Sequence, residues 1–125
     1  MTIRKEIELV TTAFVKAGDN CDVNLLEVVL HNDFRVISSE FMGKPGVTLI
    51  DKKQYINNIR KGIFGGKPRK MKIKKIDFFE TIATVTLRLE SAENSFVSYN
   101  SLVLDVDDRW KLIHNIAVVK AKNEK

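Results

Sequence analysis

From Met71 onward, apolar and polar residues alternate through four long stretches separated by connections of only two or three residues. The pattern has the period of two expected of half-buried strands. We read the strands near 71–79, 82–91, 96–106 and 109–120, joined by Glu80-Thr81, a loop around Ala92-Glu93-Asn94, and Asp107-Asp108. Connections this short cannot cross over a sheet, so neighbouring strands must be antiparallel and the four form a meander. Strands of about ten residues exceed the usual five or six, and long strands twist and curl a sheet. Met71 and Ile73 are out of phase with Ile76 and Phe78, which predicts a β-bulge at Lys74-Lys75 and a further bend.

Turn length also predicts which side chains share a face. A two-residue turn at Asp107-Asp108 pairs Val103 with Leu112, Ser101 with His114 and Tyr99 with Ile116. A three-residue loop near Glu93 pairs Leu89 with Val97, Leu87 with Tyr99 and Val85 with Ser101. Paired residues point the same way. Both counts assign Ala83, Val85, Leu87, Leu89, Val97, Tyr99, Ser101, Val103, Trp110, Leu112, His114, Ile116 and Val118 to the inner face. A slip of one residue would invert the assignment. The opposite face would then carry Ile82, Leu102, Leu104, Ile113, Ala117 and Val119 among polar residues, an apolar patch that predicts a homodimer through the outer sheet face.

The first half of the chain is mostly helical. Ile3, Ile7, Val10, Phe14 and Ala17 fall on one helical face, with Thr2 as N-cap and Gly18 closing the run. Asp22 caps a shorter helix carrying Leu25, Leu26, Val29 and Leu30. Phe34 to Ile37 is a short strand and Gly43-Lys44-Pro45-Gly46 a turn. Asp51 and Gln54 make a capping box for a third helix with Tyr55, Ile56 and Ile59 on its apolar face, stopped by Gly62. The expected fold is α+β: a cone-shaped, curved antiparallel sheet wrapped around three N-terminal helices, in one domain over residues 1–125. Lys120 to Lys125 is read as a frayed tail.

Composition narrows the function classes. One cysteine, Cys21, rules out an internal disulfide framework. The start carries no apolar leader, and no apolar run reaches the roughly 20 residues of a membrane span, so the expected location is cytoplasmic, with no membrane partner. The net charge of +5 is local: residues 61–75 hold seven cations and no acid, and without them the chain stands at −2. With Phe64 as the one aromatic in that stretch, nucleic acid is an unlikely partner, and lysines guarding an edge strand explain the charge. His31, His114 and Cys21 have no ligand spacing, so no metal and no cofactor is expected. Gly62 to Lys67 is not a phosphate loop, because the spacing is one short and Pro68 stands where Ser or Thr is required.

Leu30-His31-Asn32-Asp33-Phe34, Gly66-Lys67-Pro68-Arg69, Lys75-Ile76-Asp77 leading to Ile82-Ala83-Thr84-Val85, and above all Val106-Asp107-Asp108-Arg109-Trp110-Lys111-Leu112-Ile113 carry a resemblance. The chain resembles the nuclear transport factor 2-like superfamily over nearly its whole length, and within it the putative lumazine-binding group of small bacterial proteins. The resemblance implies a cone-shaped pocket, frequent homodimers, and roles ranging from isomerases and cyclases to non-catalytic binders. Ketosteroid isomerases of this fold use a tyrosine on the first helix and an aspartate on the strand after helix two. The matching positions here are Phe14 and Ser38, which supply neither an oxyanion donor nor a carboxylate base.

The expected site is an apolar pocket inside the cone, lined by Phe14, Ile37, Tyr55, Val85, Leu87, Tyr99, Ser101, Trp110, Leu112 and His114. His114, Ser101 and Tyr99 would form its polar floor, and His114 is the one candidate acid or base. A histidine merely satisfied by Ser101, and a core-packed Trp110, are the plainer alternatives. Three functions stand: a non-catalytic binder of an unidentified small molecule, an isomerase, dehydratase or cyclase using His114, or a homo-oligomeric assembly module.

Overall fold

The computed structural model describes residues 1–122. Helix α1 (Ile3–Asp19) starts where Thr2 Oγ1 accepts the Lys5 amide, and it buries Ile7, Phe14, Val15 and Ala17. Helix α2 (Val23–Val29) is capped by Asp22 and buries Leu26 and Val29. Helix α3 (Lys52–Arg60) begins with the expected reciprocal box, Asp51 and Gln54 each accepting the other's amide, and buries Ile56 and Ile59. Gly18 does not end α1, which runs on to Asp19. That glycine matters instead for closeness, as shown below.

Six strands make one sheet: β1 (Leu30–Ser39), β2 (Val47–Asp51), β3 (Lys70–Phe79), β4 (Ile82–Glu90), β5 (Asn94–Leu104) and β6 (Trp110–Ala121), in the order β2-β1-β6-β5-β4-β3. The sheet is curved and open, and antiparallel except where β1 meets β6 in parallel. Strand β1 is longer than expected and β2 was not foreseen; a 3-10 turn at Phe41–Gly43 connects them. Strand β6 continues to Ala121, while residues 123–125 of the expected frayed tail lie outside the described residues. The bulge in β3 is present: the register shifts between Ile73 and Lys75, so Met71, Ile73, Ile76 and Phe78 all share the face of Leu89, Leu87, Val85 and Ala83.

Strand β4 faces as expected, but β5 is inverted. Val85 pairs with Asn100, Leu87 with Ser98 and Leu89 with Phe96. The cause is the β4–β5 turn, which has two residues, not three. Ser91 donates its amide to the Asn94 carbonyl, and its hydroxyl accepts from the amides of Glu93 and Asn94. The β5–β6 turn errs in the other direction: Asp105 donates to the Arg109 carbonyl across three residues, with Asp108 at φ 62°. Leu102, not Val103, therefore pairs with Leu112, and a bulge at Ile113 then restores the expected pairs Ser101–His114 and Tyr99–Ile116. Those pairs are right and their face is wrong. Tyr99, Ser101, His114, Ile116, Val97, Val103 and Val118 lie outside, while Phe96, Ser98, Asn100, Leu102, Asn115, Ala117 and Val119 lie inside. The outer patch expected from Leu102, Leu104, Ala117 and Val119 accordingly does not exist in that form, since these residues sit on the inner face with Leu112 and Trp110.

The inner face divides along its length. Toward the β5–β6 turn, Ala83, Val85, Leu102, Trp110 and Leu112 are buried in the core with Ile7, Leu26 and Phe34. Each such large side chain contributes roughly 1.5–3 kcal/mol by leaving water. Toward the β4–β5 turn the helices no longer fill the hollow.

Candidate functional site

That unfilled half is a cavity of ≈ 340 Å³, within the size range of small-molecule sites. One wall is aromatic. Phe14 from α1 stacks on Tyr55 from α3 with ring centroids 6.0 Å apart, and Phe34 meets Tyr55 edge-on at 5.6 Å. Phe64 lies 6.1 Å from Tyr55 and 6.2 Å from Phe41. These spacings are those of favourable aromatic pairs. Leu87, Leu89, Phe96 and Val119 of the sheet add to the apolar lining, as do Val36, Ile50 and Ile59.

The opposing strands supply a polar strip. Ser38 on β1 and Ser98 on β5 both pair with Ala117 of β6, and Asn115 lies two residues from Ala117 on the same face. Ser98, Asn100 and Asn115 are buried and joined: Asn100 Nδ2 donates to the Val85 carbonyl at 3.3 Å and to Ser98 Oγ at 3.1 Å, and Asn115 Nδ2 donates to Asn100 Oδ1 at 2.6 Å. Ser38 differs. Its hydroxyl is buried on the cavity wall and has no hydrogen-bond partner, alone in this among the described residues. A buried hydroxyl left unpaired costs about 1–3 kcal/mol.

The charged groups at the rim are already committed. Arg69 Nε donates to Asp19 Oδ1 at 2.6 Å, its Nη2 reaches the Val15 carbonyl at 3.3 Å, and its guanidinium lies 5.1 Å from the Phe96 ring centroid. Lys67, which lines the cavity, is ion-paired with the exposed Glu93. Segment 61–69 is held against α1 because Gly65 and Gly18 almost touch. A β-carbon on Gly65, which has φ +72°, would stand 2.2 Å from the Gly18 oxygen, and that oxygen accepts the Gly66 amide at 3.1 Å. Burial pushes the Tyr55 phenol up to about 12, with nearby Arg69 pulling the other way, so it is a neutral hydroxyl at physiological pH.

Of the residues singled out from sequence, Phe14, Tyr55 and Leu87 line the cavity. Val85, Trp110 and Leu112 are buried in the core beyond it. Ile37, Tyr99, Ser101 and His114 face outward, because Ile37 pairs with Ile116, and Ser101 with His114, on the outer side. His114 is exposed, so the expected polar floor and the candidate acid or base are removed from the cavity. Ser98, Asn115, Phe41, Phe64, Phe96, Lys67 and Arg69 were missed, and Ser38 entered only as the position matching the aspartate of the ketosteroid isomerases. A signal existed for Asn115: asparagine is a poor strand residue, and its presence mid-strand marks a face where packing is not the only demand. No cluster of three potential metal ligands occurs among the described residues, and no helix there is long and apolar enough to cross a membrane.

A similar architecture recurs in solved structures. An NTF2-like protein of unknown function from Shewanella baltica superposes with a TM-score of 0.79 at 16% identity, covering 95% of this chain and 97% of that one. An NTF2-like protein from Cytophaga hutchinsonii gives 0.79 at 22% identity, covering 97% and 99%. A ketosteroid isomerase-like protein from Erwinia carotovora atroseptica gives 0.72 at 11% identity, covering 90% and 92%. At these identities the likeness establishes the fold alone. No curated protein matches the chain. The family model described as putative lumazine-binding matches residues 3–116, nearly the whole chain, and with the nuclear transport factor 2-like architecture around the cavity this shows that the chain belongs to the putative lumazine-binding family.

Proposed function

We propose that the protein is a non-catalytic binder of a small, flat, mostly apolar molecule held between the aromatic wall and the polar strip of the cavity. The observation that carries this reading is the unfilled cavity itself, in which an aromatic wall of Phe14, Tyr55 and Phe64 faces a strip of buried polar residues, Ser38, Ser98 and Asn115. The description of the family supports it and makes lumazine, a flat heteroaromatic, the first compound to try. The titratable groups on the wall favour binding over turnover: a phenol raised to about 12 and two cations paired to carboxylates offer no group poised near neutral pH. With His114 outside, an isomerase or cyclase reading has lost its acid or base. A lone unpaired cysteine suits the reducing cytoplasm, where we place the protein.

Native mass spectrometry of freshly purified protein, followed by calorimetric titration with lumazine and other planar aromatics, tests the reading. A retained compound, or saturable one-to-one binding that weakens in Phe14→Ala, supports it. Absence of any retained compound together with no binding across the series would overturn it.

A second copy of the chain is the partner we infer for the outer face. Leu49, Ile37, Ile116 and Tyr99 stand in one register across four adjacent strands, with Leu49 60%, Tyr99 59% and Ile116 42% exposed. A two-fold operation can lay such a row against its own copy, the commonest arrangement in soluble oligomers. Light scattering behind size exclusion should report a dimer that Ile116→Lys converts to a monomer; a monomeric parent at micromolar concentration would dismiss the idea.

A further inference from the structure

Both cations at the rim have partners, yet neither is used up. Among the described residues, the cavity wall carries two formal charges, Lys67 and Arg69, and no aspartate, glutamate or histidine. The carboxylates that balance them, Glu93 and Asp19, do not line the cavity. The charge facing the interior is therefore of one sign. Apolar walls keep water out and strengthen the attraction such groups exert on an anion that enters.

The two cations are held differently. Arg69 is fixed in place: Asp19 Oδ1 accepts from its Nε at 2.6 Å, the Val15 carbonyl from its Nη2 at 3.3 Å, and Asp19 Oδ2 from its main-chain amide at 3.2 Å. Those bonds occupy only part of a guanidinium, which carries five N–H donors in a planar fork. Nη1 makes no hydrogen bond. Among the described residues Ser38 Oγ is the one sealed-off side-chain polar atom without a partner, so Nη1 keeps access to solvent on a residue that lines the cavity. Lys67 is held loosely. Its side chain is 66% exposed and that of Glu93 65%, and water and salt screen an ion pair so open that it contributes little. An incoming anion can displace Glu93 at small cost.

We propose that the cavity takes an aromatic acid, with a flat apolar body against the Phe14 and Tyr55 wall and a carboxylate that binds the spare N–H groups of Arg69 and draws Lys67 from Glu93. The inference rests on the cavity being a ligand site and adds the charge and chemical class of the ligand. A carboxylate is planar and offers two acceptor oxygens, the shape a guanidinium fork matches. A cationic ligand would meet like charge with no carboxylate on the wall, and a neutral one would make less use of the Arg69 donors.

Three probes share one ring system and differ in charge: 2-naphthoate, 2-naphthamide and 2-naphthylmethylammonium. Calorimetric or fluorescence titration in low salt near neutral pH should show naphthoate binding roughly tenfold or more tightly than the amide, as for hydrogen bonds to a charged group, with the ammonium compound weakest. Lys67 and Glu93 are exposed, so their variants leave the fold intact. Lys67→Gln should weaken naphthoate about threefold and leave naphthamide unchanged. Glu93→Gln should do the opposite and tighten naphthoate by about the same factor, because it frees Lys67 without altering the wall. Arg69→Lys keeps a charge for Asp19 but gives up the fork, and should remove most of the preference for the acid over the amide. Equal binding of naphthoate and naphthamide would overturn the aromatic acid and leave the cavity as a ligand site. A Glu93→Gln variant that binds naphthoate no more tightly than the parent would also overturn it, since the exchange at Lys67 would not occur. Failure of every probe to bind would overturn both readings together.

Discussion

Ser38 has a hydroxyl that contributes nothing to the fold around it. It is buried and lacks a partner. Its removal should therefore be nearly free: Ser38→Ala is expected to change stability by less than about 1 kcal/mol, or to raise it, as read by urea denaturation. A loss of 2 kcal/mol or more would mean the hydroxyl is satisfied in solution. Tyr55 behaves differently. Its native phenol is raised to about 12 above an ordinary value of 10.0, so the native state holds its proton more tightly than the unfolded chain. The stabilisation from this group is complete below pH 10 and is lost as pH climbs toward 12. Denaturation at stepped alkaline pH should show that decline, and Tyr55→Phe should flatten it. His114 is exposed, and His114→Ala should leave both stability and ligand retention unchanged. A lost ligand in that variant would restore the histidine to the site.

At the scale of elements, turn length and bulges decide what each strand shows to the helices. In β4, Ala83, Val85, Leu87 and Leu89 alternate with threonines and Arg88, so the sequence alone identifies the inner face. In β5 it cannot, because Phe96, Leu102 and Leu104 compete with Val97, Tyr99 and Val103, and both parities are comparably apolar. The choice then falls to the turns, and each was miscounted by one residue. The two miscounts cancel across β5, which leaves Trp110 and Leu112 correctly inside, and the bulge at Ile113 then turns His114, Ile116 and Val118 out. The capping box, the Asp22 cap and the β3 bulge were legible since each rests on contacts within a few residues. The polar strip was not, because it assembles three strands whose register depends on those turns. Bulged residues should be expendable in a way paired ones are not. Deleting Lys74, the extra residue in β3, keeps Ile73 and Ile76 on the inner face and should cost less than about 2 kcal/mol. Deleting Thr86 from central β4 must turn either Val85 or Leu87 outward, and should abolish cooperative unfolding in a denaturant titration. Gly65→Ala sets a methyl 2.2 Å from the Gly18 oxygen at φ +72°, and should cost about 1–3 kcal/mol in the same assay.

For the molecule as a whole, the division of labour runs along the strands. One end is packed solid by α1 and α2 against Val85 and Leu112; the other is left hollow. The single tryptophan of the chain belongs to the solid end, where Trp110 pairs with Leu104 and is 5% exposed. Tyr55 belongs to the hollow end, and Tyr99 to the exterior. Optical assays are sorted in advance by this layout. The wavelength of the indole emission will follow global denaturation and be almost blind to whatever occupies the hollow, so a flat titration curve at that wavelength is no sign of an empty protein. Tyrosine absorbance, or the chromophore of the guest itself, is the handle that sees the occupant.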